Sequence, residues 1–494
     1  MLTIFSILTR CLGFIFKIYL TKIMTTTELG IFNLTLSIYM VLITIVGASI
    51  PLTISKITAS NITKNKEDDT KYSVTSSFIF TTLISIFLCI LVLISKPLLN
   101  MIIGDSIGYQ IMLTLMPSIV FTAIYSQIRG YLWGRENYFA VSIVEFVEQI
   151  LRISFCIIFV SANIIHNPIL AVGVSLSIAC GISLAYGMIL YFKNNGKFKY
   201  KSGYFKDIVH STIPLTAVRL FGSLLQPIVA LIIPWRLCSL GMSKDLALSE
   251  LGIAMGMTLP LLSIPSTIIG AMCMILIPRI NSSVDTDERK YQINNYLKFT
   301  MTCVFVFIPV FITLSIPLCN YVYNNYNAGT YMAQCSWIII PMGLAQISTS
   351  ILNALNQETK TFIYYIISCV VMIALVFVLP NFFGIQAMMI ASGISYILLT
   401  ILNVMYLRKS LSLKTNLIKN LIFHALICVP CVILNNFCFN IFQSTMSQFL
   451  SIIFTGLISA VSYLSLLFVF GILDINIVKN YVIKTINKKL KKSN

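Results

Sequence analysis

Fourteen stretches of about twenty mostly apolar residues run through this chain, the length a helix needs to cross the hydrocarbon core of a bilayer. They cover roughly 2–24, 30–56, 72–96, 108–132, 140–163, 168–192, 208–234, 250–278, 294–322, 330–355, 361–383, 385–407, 416–441 and 446–473. Polar punctuation separates them: TTTELG from 25, NKEDD from 65, GREN from 134, KNNGKFKYKSG from 193, SVDTDERKYQ from 283, NNYNAG from 324 and RKSLSLK from 408. The runs are continuous and do not alternate with period two, which argues against a membrane barrel. Composition agrees: 57% of the 494 residues are hydrophobic, 10% are charged, and the mean hydropathy is +0.91. A soluble chain carries about 25% charge, so too few charges remain here to coat a water-facing surface. An all-α integral membrane protein is expected. A soluble enzyme, a disordered chain and a secreted disulfide scaffold are excluded.

Most of the 13 cysteines lie inside apolar runs (Cys89, Cys156, Cys180, Cys273, Cys303, Cys369), with no framework spacing. CVPC at 428–431 has dithiol spacing but sits in an apolar stretch and reads as packing. His166, His210 and His424 are scattered, so no metal site is expected, and no GxxxxGK[ST] motif offers a nucleotide site. The opening MLTIFSILTR lacks a basic leader and a small-residue cleavage site, and reads as the first membrane helix.

The net charge is +18. In a soluble protein that would suggest nucleic acid; in a membrane protein it sets orientation, because cytoplasmic loops carry excess Lys and Arg. With a cytoplasmic N-terminus, the even-numbered loops and the tail hold 26 of the 34 basic residues. The odd-numbered loops hold 4: Lys22, Lys96, Arg236 and Lys244. Both termini are therefore expected in the cytoplasm. The tail KKLKKSN reads as a retention signal that touches anionic headgroups. The longest loops, near 193–207 and 279–293, are about fifteen residues, too short for a soluble domain.

Four basic residues remain inside apolar segments: Arg10 and Lys17 in the first, Arg152 in the fifth and Arg219 in the seventh. Glu145 and Glu148 join them in the fifth. A charge near the bilayer centre costs at least about 2.5–3.5 kcal/mol, so such residues normally face a wet cavity or one another. Glu148 and Arg152 are spaced i, i+4 with the acid first, the favourable order for a helical ion pair. A structural clamp and a cavity-lining role both remain open for that pair. Glu145 lies one turn earlier, close enough to share a proton. Lys17 is placed to snorkel. The six charges sum to a positive value, which favours an anionic cargo, and the planar fork of Arg suits phosphate.

The two halves match loosely. Arg10 and Arg219 occupy the first segment of each half; IPLTISKI near 50 parallels ILIPRI near 275; Pro117 and Pro341 open the fourth segments, which end in WGRENYF and LNQETKTF. Internal repeats are common in transporters. The expected organisation is an N-terminal lobe (1–192), a cytoplasmic linker (193–207), a C-terminal lobe (208–407), two further helices (408–473) and a basic cytoplasmic tail (474–494). Proline within the spans (Pro117, Pro214, Pro227, Pro260, Pro265, Pro309, Pro341) suits helices that bend around a cavity.

TRCLGFIFKIYL at 9, GASIPLTISKITA at 47, IRGYLWGREN at 128, VEQILRI at 147 and the run from IPLTAVRLFGSLLQPIVALIIPWRL at 213 through GMTLPLLSIPSTIIGAMCMILIPRI at 256 carry a resemblance. In order and spacing they resemble the stage V sporulation protein B group of polysaccharide-biosynthesis flippases. That group sits in the MOP superfamily with the MurJ and Wzx flippases and the MATE exporters. The resemblance implies fourteen helices in two six-helix lobes plus two C-terminal helices around a central cavity. It also implies movement of a saccharide on undecaprenyl pyrophosphate to the outer leaflet. Arg10 falls in the first-helix R-x-L-G-F pattern, Lys17 matches a basic position of the sporulation group, and Lys56 matches the basic residue ending the second helix. Pro260 stands where MurJ-type sequences tend to have Arg, so Arg219 is the candidate for the second-lobe charge.

The expected function is therefore a non-enzymatic flippase of the bacterial cytoplasmic membrane, working as a monomer by alternating access. Its partners are the lipid-linked anionic saccharide and membrane lipids, not nucleic acid. The substrate-binding candidates are Arg10, Lys17, Lys56 and Arg219, with Glu145, Glu148 and Arg152 as structural or coupling charges. No cofactor is expected, and proton or sodium coupling stays open. The alternatives are a MATE-like exporter of drugs or small cations, a membrane glycosyltransferase or polymerase, and a static channel. A surplus of basic residues argues against the first. Short outer loops without catalytic acids argue against the second.

Overall fold

In hydrocarbon every backbone N–H and C=O must be satisfied within the protein, so long apolar runs fold as helices. The computed structural model describes residues 2–47, 49–103, 106–282, 285–412 and 416–471, and these are helical with no strand among them. In chain order the helices are α1 (Leu2–Ile23), α2 (Thr26–Gly47), α3 (Ile50–Thr63), α4 (Glu67–Ile94), α5 (Lys96–Ile103), α6 (Ser106–Gly134), α7 (Tyr138–Ser161), α8 (Pro168–Lys193), α9 (Ser202–Ser239) and α10 (Lys244–Gly252). A π-turn (Ile253–Thr258) leads into α11 (Leu259–Leu262), α12 (Ile264–Ser282), α13 (Thr286–Tyr323) and α14 (Tyr326–Cys335). After a 3₁₀ turn (Ser336–Ile338) come α15 (Ile339–Ala354), α16 (Glu358–Val378), α17 (Pro380–Phe383), α18 (Gln386–Leu411), α19 (Leu417–Thr445) and α20 (Gln448–Val469). Among the described residues twelve helices are long and apolar enough to cross a membrane. The protein is multi-spanning and all-helical. The tail from 474 and Lys414 lie outside the described residues.

Each apolar segment corresponds to a helix, but not always to one unbroken helix. The stretch 30–56, expected as a single span, is α2 and α3, with Pro51 in the first turn of α3. Proline fits there because that turn's N–H groups have no intrahelical acceptor. The stretch 250–278 is divided by the π-turn, with Pro260 and Pro265 just beyond it. By contrast α13 runs on through Pro309 and Pro317. Several helices close on a left-handed residue, mostly asparagine: Asn65, Asn163, Asn195, Asn324 and Asn356, with φ between 51° and 63°. Asparagine tolerates that conformation at a helix end better than other side-chain-bearing residues.

The fold divides into two compact units, Met1–Pro260 with Cys369–Ala391, and Leu261–Ser368 with Ser392–Asn494. Residues 208–260, expected to open the C-terminal lobe, thus pack with the N-terminal helices. In the first unit α6 is central and packs on α2, α3, α4 and α8. Its core there includes Ile54, Val74, Tyr131, Val144 and Tyr191. The segment expected as a linker is docked on this unit. Tyr131 donates its hydroxyl to the Asn194 carbonyl at 2.7 Å, and Tyr191 donates to the Lys197 carbonyl at 3.1 Å. The Lys199 N–H donates to Thr75 Oγ1 at 3.0 Å, and its ammonium reaches Asp68 at 2.9 Å.

In the second unit α13 packs on α14, α15, α19 and α20. Some of its buried polar groups bond one another between helices. His424 hydrogen-bonds the Tyr463 hydroxyl at 2.6 Å, and Asn435 donates to Ser459 at 2.9 Å. Cys428 and Cys431 of the CVPC run are buried, unpaired thiols in α19.

Candidate functional site

Helical spacing builds a polar cavity in the first unit. Thr122, Tyr125 and Arg129 lie at i, i+3 and i+7 on α6, so they share one face. Glu145, Glu148, Gln149 and Arg152 share a face of α7 by the same rule. With Thr9 of α1 and Cys180 of α8 these residues line a cavity of about 340 Å³. Gly13, one turn after Thr9, faces Gln149, and Phe16, the next turn, lies under the Arg152 guanidinium at 6.0 Å from the ring centroid. On α8, Gly187 leaves room for the Tyr125 ring.

The charges interlock across helices. Arg129 Nη1 donates to Glu145 Oε1 at 3.4 Å, and the guanidinium rests on the Trp133 ring at 5.1 Å. Glu148 Oε1 accepts from the Cys180 thiol at 3.9 Å. Glu148 also interacts electrostatically with Arg152, Glu145 and Arg129. The i, i+4 pair expected between Glu148 and Arg152 is not closed to 4.0 Å; the acid that forms an ion pair is Glu145. Two arginines and two glutamates balance, so this cavity is not the net-positive hollow expected from the six intramembrane charges.

Four polar atoms around the cavity are buried and have no hydrogen-bond partner: Tyr125 Oη, Arg129 Nε, Gln149 Nε2 and Arg152 Nε. Tyr125 is 6% exposed and Gln149 4%. A buried polar group left unmade costs about 1–3 kcal/mol, and four such groups belong to residues that line this cavity. Among the described residues no group of His, Cys, Asp and Glu could hold a metal ion. A second cavity of about 240 Å³, in the other unit, is lined by Asn294, Asn295, Lys298, Asn416 and Asn420 among others.

The basic candidates stand outside the balanced cavity. Arg10 and Lys17 are exposed on α1, Lys56 on α3 and Arg219 on α9. Arg10 follows Thr9, so it lies about 100° round the helix from the lining face. Arg219 is within electrostatic reach of Arg129. Among the described residues no carboxylate lies within 4.0 Å of Arg10, Lys17 or Lys56. Arg129, counted with the cytoplasmic loops from sequence, belongs to α6 and reaches Glu145. Tyr125 and Gln149 escaped a census of charges; their helical register with Arg129 and Glu145 was the signal that could have found them.

Comparison with known proteins places this geometry. The family described as "Polysaccharide biosynthesis protein" matches residues 1–283. The stage V sporulation protein B of Bacillus subtilis (strain 168) is 21% identical over 428 residues, 83% of this chain and 82% of that protein. Among solved structures, a lipid II flippase MurJ in an inward closed conformation superposes with a TM-score of 0.75 at 14% identity, over 96% of this chain and 99% of that one. An inward-facing multidrug resistance MATE transporter of the MOP superfamily gives 0.71 at 12% identity, over 82% and 94%. Both likenesses are of fold.

Proposed function

The chain belongs to the polysaccharide biosynthesis protein family, and from that premise we propose that it is a flippase moving a saccharide linked to undecaprenyl pyrophosphate across the cytoplasmic membrane by alternating access. It is a membrane transporter and not an enzyme. The observation that carries the reading is the family match over residues 1–283. The sporulation relative is similar over most of both chains, and a lipid II flippase shares the fold. The finer architecture proposed is fourteen spans, with both termini cytoplasmic and the protein monomeric.

Arg10, Lys17, Lys56 and Arg219 are proposed to grip the pyrophosphate. Guanidinium groups donate paired hydrogen bonds to phosphate oxygens, and the lysines add point charges. The test is flipping of a fluorescent undecaprenyl-pyrophosphoryl disaccharide in proteoliposomes. Arg10→Ala and Arg219→Ala should each reduce flipping to background while the protein remains in the membrane. Full activity of both variants would overturn the assignment.

A MATE-like exporter of small cations is the second reading, favoured by the two glutamates of the cavity. Arg129 and Arg152 beside them oppose it by repelling a cation. Drug resistance in an expressing strain, lost on Glu148→Gln, would support it.

A further inference from the structure

We propose that the cavity lined by α1, α6, α7 and α8 is a saccharide subsite, taking one sugar ring of the cargo. This rests on the flippase reading and adds to it a place for the neutral part of the head. The basic residues address the pyrophosphate; nothing so far addresses the sugar.

The lining selects by charge type. Glu145 and Glu148 repel a pyrophosphate, and Arg129 and Arg152 repel a cation. A neutral polyol is opposed by neither. Its hydroxyls donate to the carboxylates, and its ring, hydroxyl or acyl oxygens accept from guanidinium, amide and phenol. On four of the lining residues, Tyr125 Oη, Arg129 Nε, Gln149 Nε2 and Arg152 Nε have no partner within the protein, so these side chains keep donors to spare for the polyol. Tyr125 and Gln149 are each more than nine-tenths buried, so their polar ends are held by packing and not by solvent.

Size and place agree. About 340 Å³ is at the small end of ligand pockets, room for one ring and its substituents. Glu145 and Arg152 lie seven and fourteen residues into α7, roughly 10 and 21 Å along its axis from Tyr138. The site is thus within the membrane, where an uncharged but polar head needs partners most. Arg10 is the residue after Thr9, and Arg219 is in electrostatic reach of Arg129. A sugar in the cavity therefore has its anomeric phosphate close to the proposed basic grip.

The test compares two carriers in proteoliposomes: undecaprenyl-pyrophosphoryl-N-acetylglucosamine and undecaprenyl pyrophosphate without a sugar. Tyr125→Phe and Gln149→Ala remove a donor without changing charge. Each should slow flipping of the sugar-bearing carrier about tenfold, the loss of one hydrogen bond, and leave the sugar-free carrier within about twofold. Equal loss on both carriers, or no loss on either, overturns the subsite. If the wild-type protein flips neither carrier, the flippase reading fails and the subsite is judged by binding. The methyl glycosides of glucose, galactose and N-acetylglucosamine are then titrated into purified protein by saturation-transfer NMR. Saturable binding of one of them, lost in Gln149→Ala, supports the subsite, and absence of saturable binding of all three overturns it.

Discussion

Gly187 has no side chain where the Tyr125 ring lies: a Cβ there would sit 2.9 Å from two ring carbons. The gap on α8 lets the ring of an α6 residue pack sideways against it. Gly187→Leu fills the gap and forces ring or helix to move; overpacking of this kind costs about 1–3 kcal/mol. The variant should melt lower than wild type in detergent, with Gly187→Ala between them, and equal melting temperatures for all three would remove this role. Arg129 and Glu145 form a second residue-scale unit. The pair is only half-buried, at 29% and 43% exposed, and loose at 3.4 Å, so its coupling should be small, about 0.5–1 kcal/mol in a double-mutant cycle. Additivity of Arg129→Ala and Glu145→Ala would show that the pair is geometric only. Arg10 was legible in the sequence because a charge within an apolar run stands out against the cost of burying it. Arg129 was not, because a basic residue near the end of a span is counted with the loop. Tyr125 and Gln149 carry no charge to notice.

At the scale of elements, the first turns of α2 cross the last turns of α10. A Cβ on Gly30 would overlap the Leu248 carbonyl, and one on Gly252 the Thr26 carbonyl, so the backbones meet because neither residue has a side chain. Ser249 donates to Thr26 at 2.7 Å across the crossing. The π-turn begins one residue after Gly252, and such turns bend helices and mark places where they give. If this crossing opens during transport, fixing it should stop the cycle. Thr26→Cys with Ser249→Cys, oxidised, is expected to bring flipping to background and to recover with reductant, while each single variant stays active. Unchanged flipping by the cross-linked protein would show that the crossing is permanent. Apolar length and polar punctuation mark where long helices run but not these breaks. Residues 250–278 read as one apolar run; the shift to π spacing lies beside a close backbone approach, which composition does not encode. Only the prolines hinted at it.

The orientation proposed for the whole molecule rests on its basic residues, most of which fall in the loops and tail assigned to one side. The proposal puts the segment 193–207 on that side, where protease can test it. Lys197, Lys199 and Lys201 are trypsin sites in a stretch without helix. They should be cut in inside-out vesicles and spared in right-side-out ones; the reverse pattern would invert the topology. Cleavage should also be slow, because Tyr131, Tyr191, Thr75 and Asp68 hold the segment. The hydrogen bond to Asp68 raises the Lys199 ammonium above its usual range, so the proton-bound form is the docked one. The contact is complete below the ordinary lysine pKa and is lost as pH rises through the raised one. Asp68→Asn removes the charge that holds Lys199 and should speed cleavage at Lys199 at neutral pH, where the wild-type contact is intact. In hydrogen exchange, residues 194–201 of wild type should stay protected up to alkaline pH, and those of Asp68→Asn should already be open. Equal protection of the two proteins at neutral pH would mean that the tyrosines dock the segment without the ion pair.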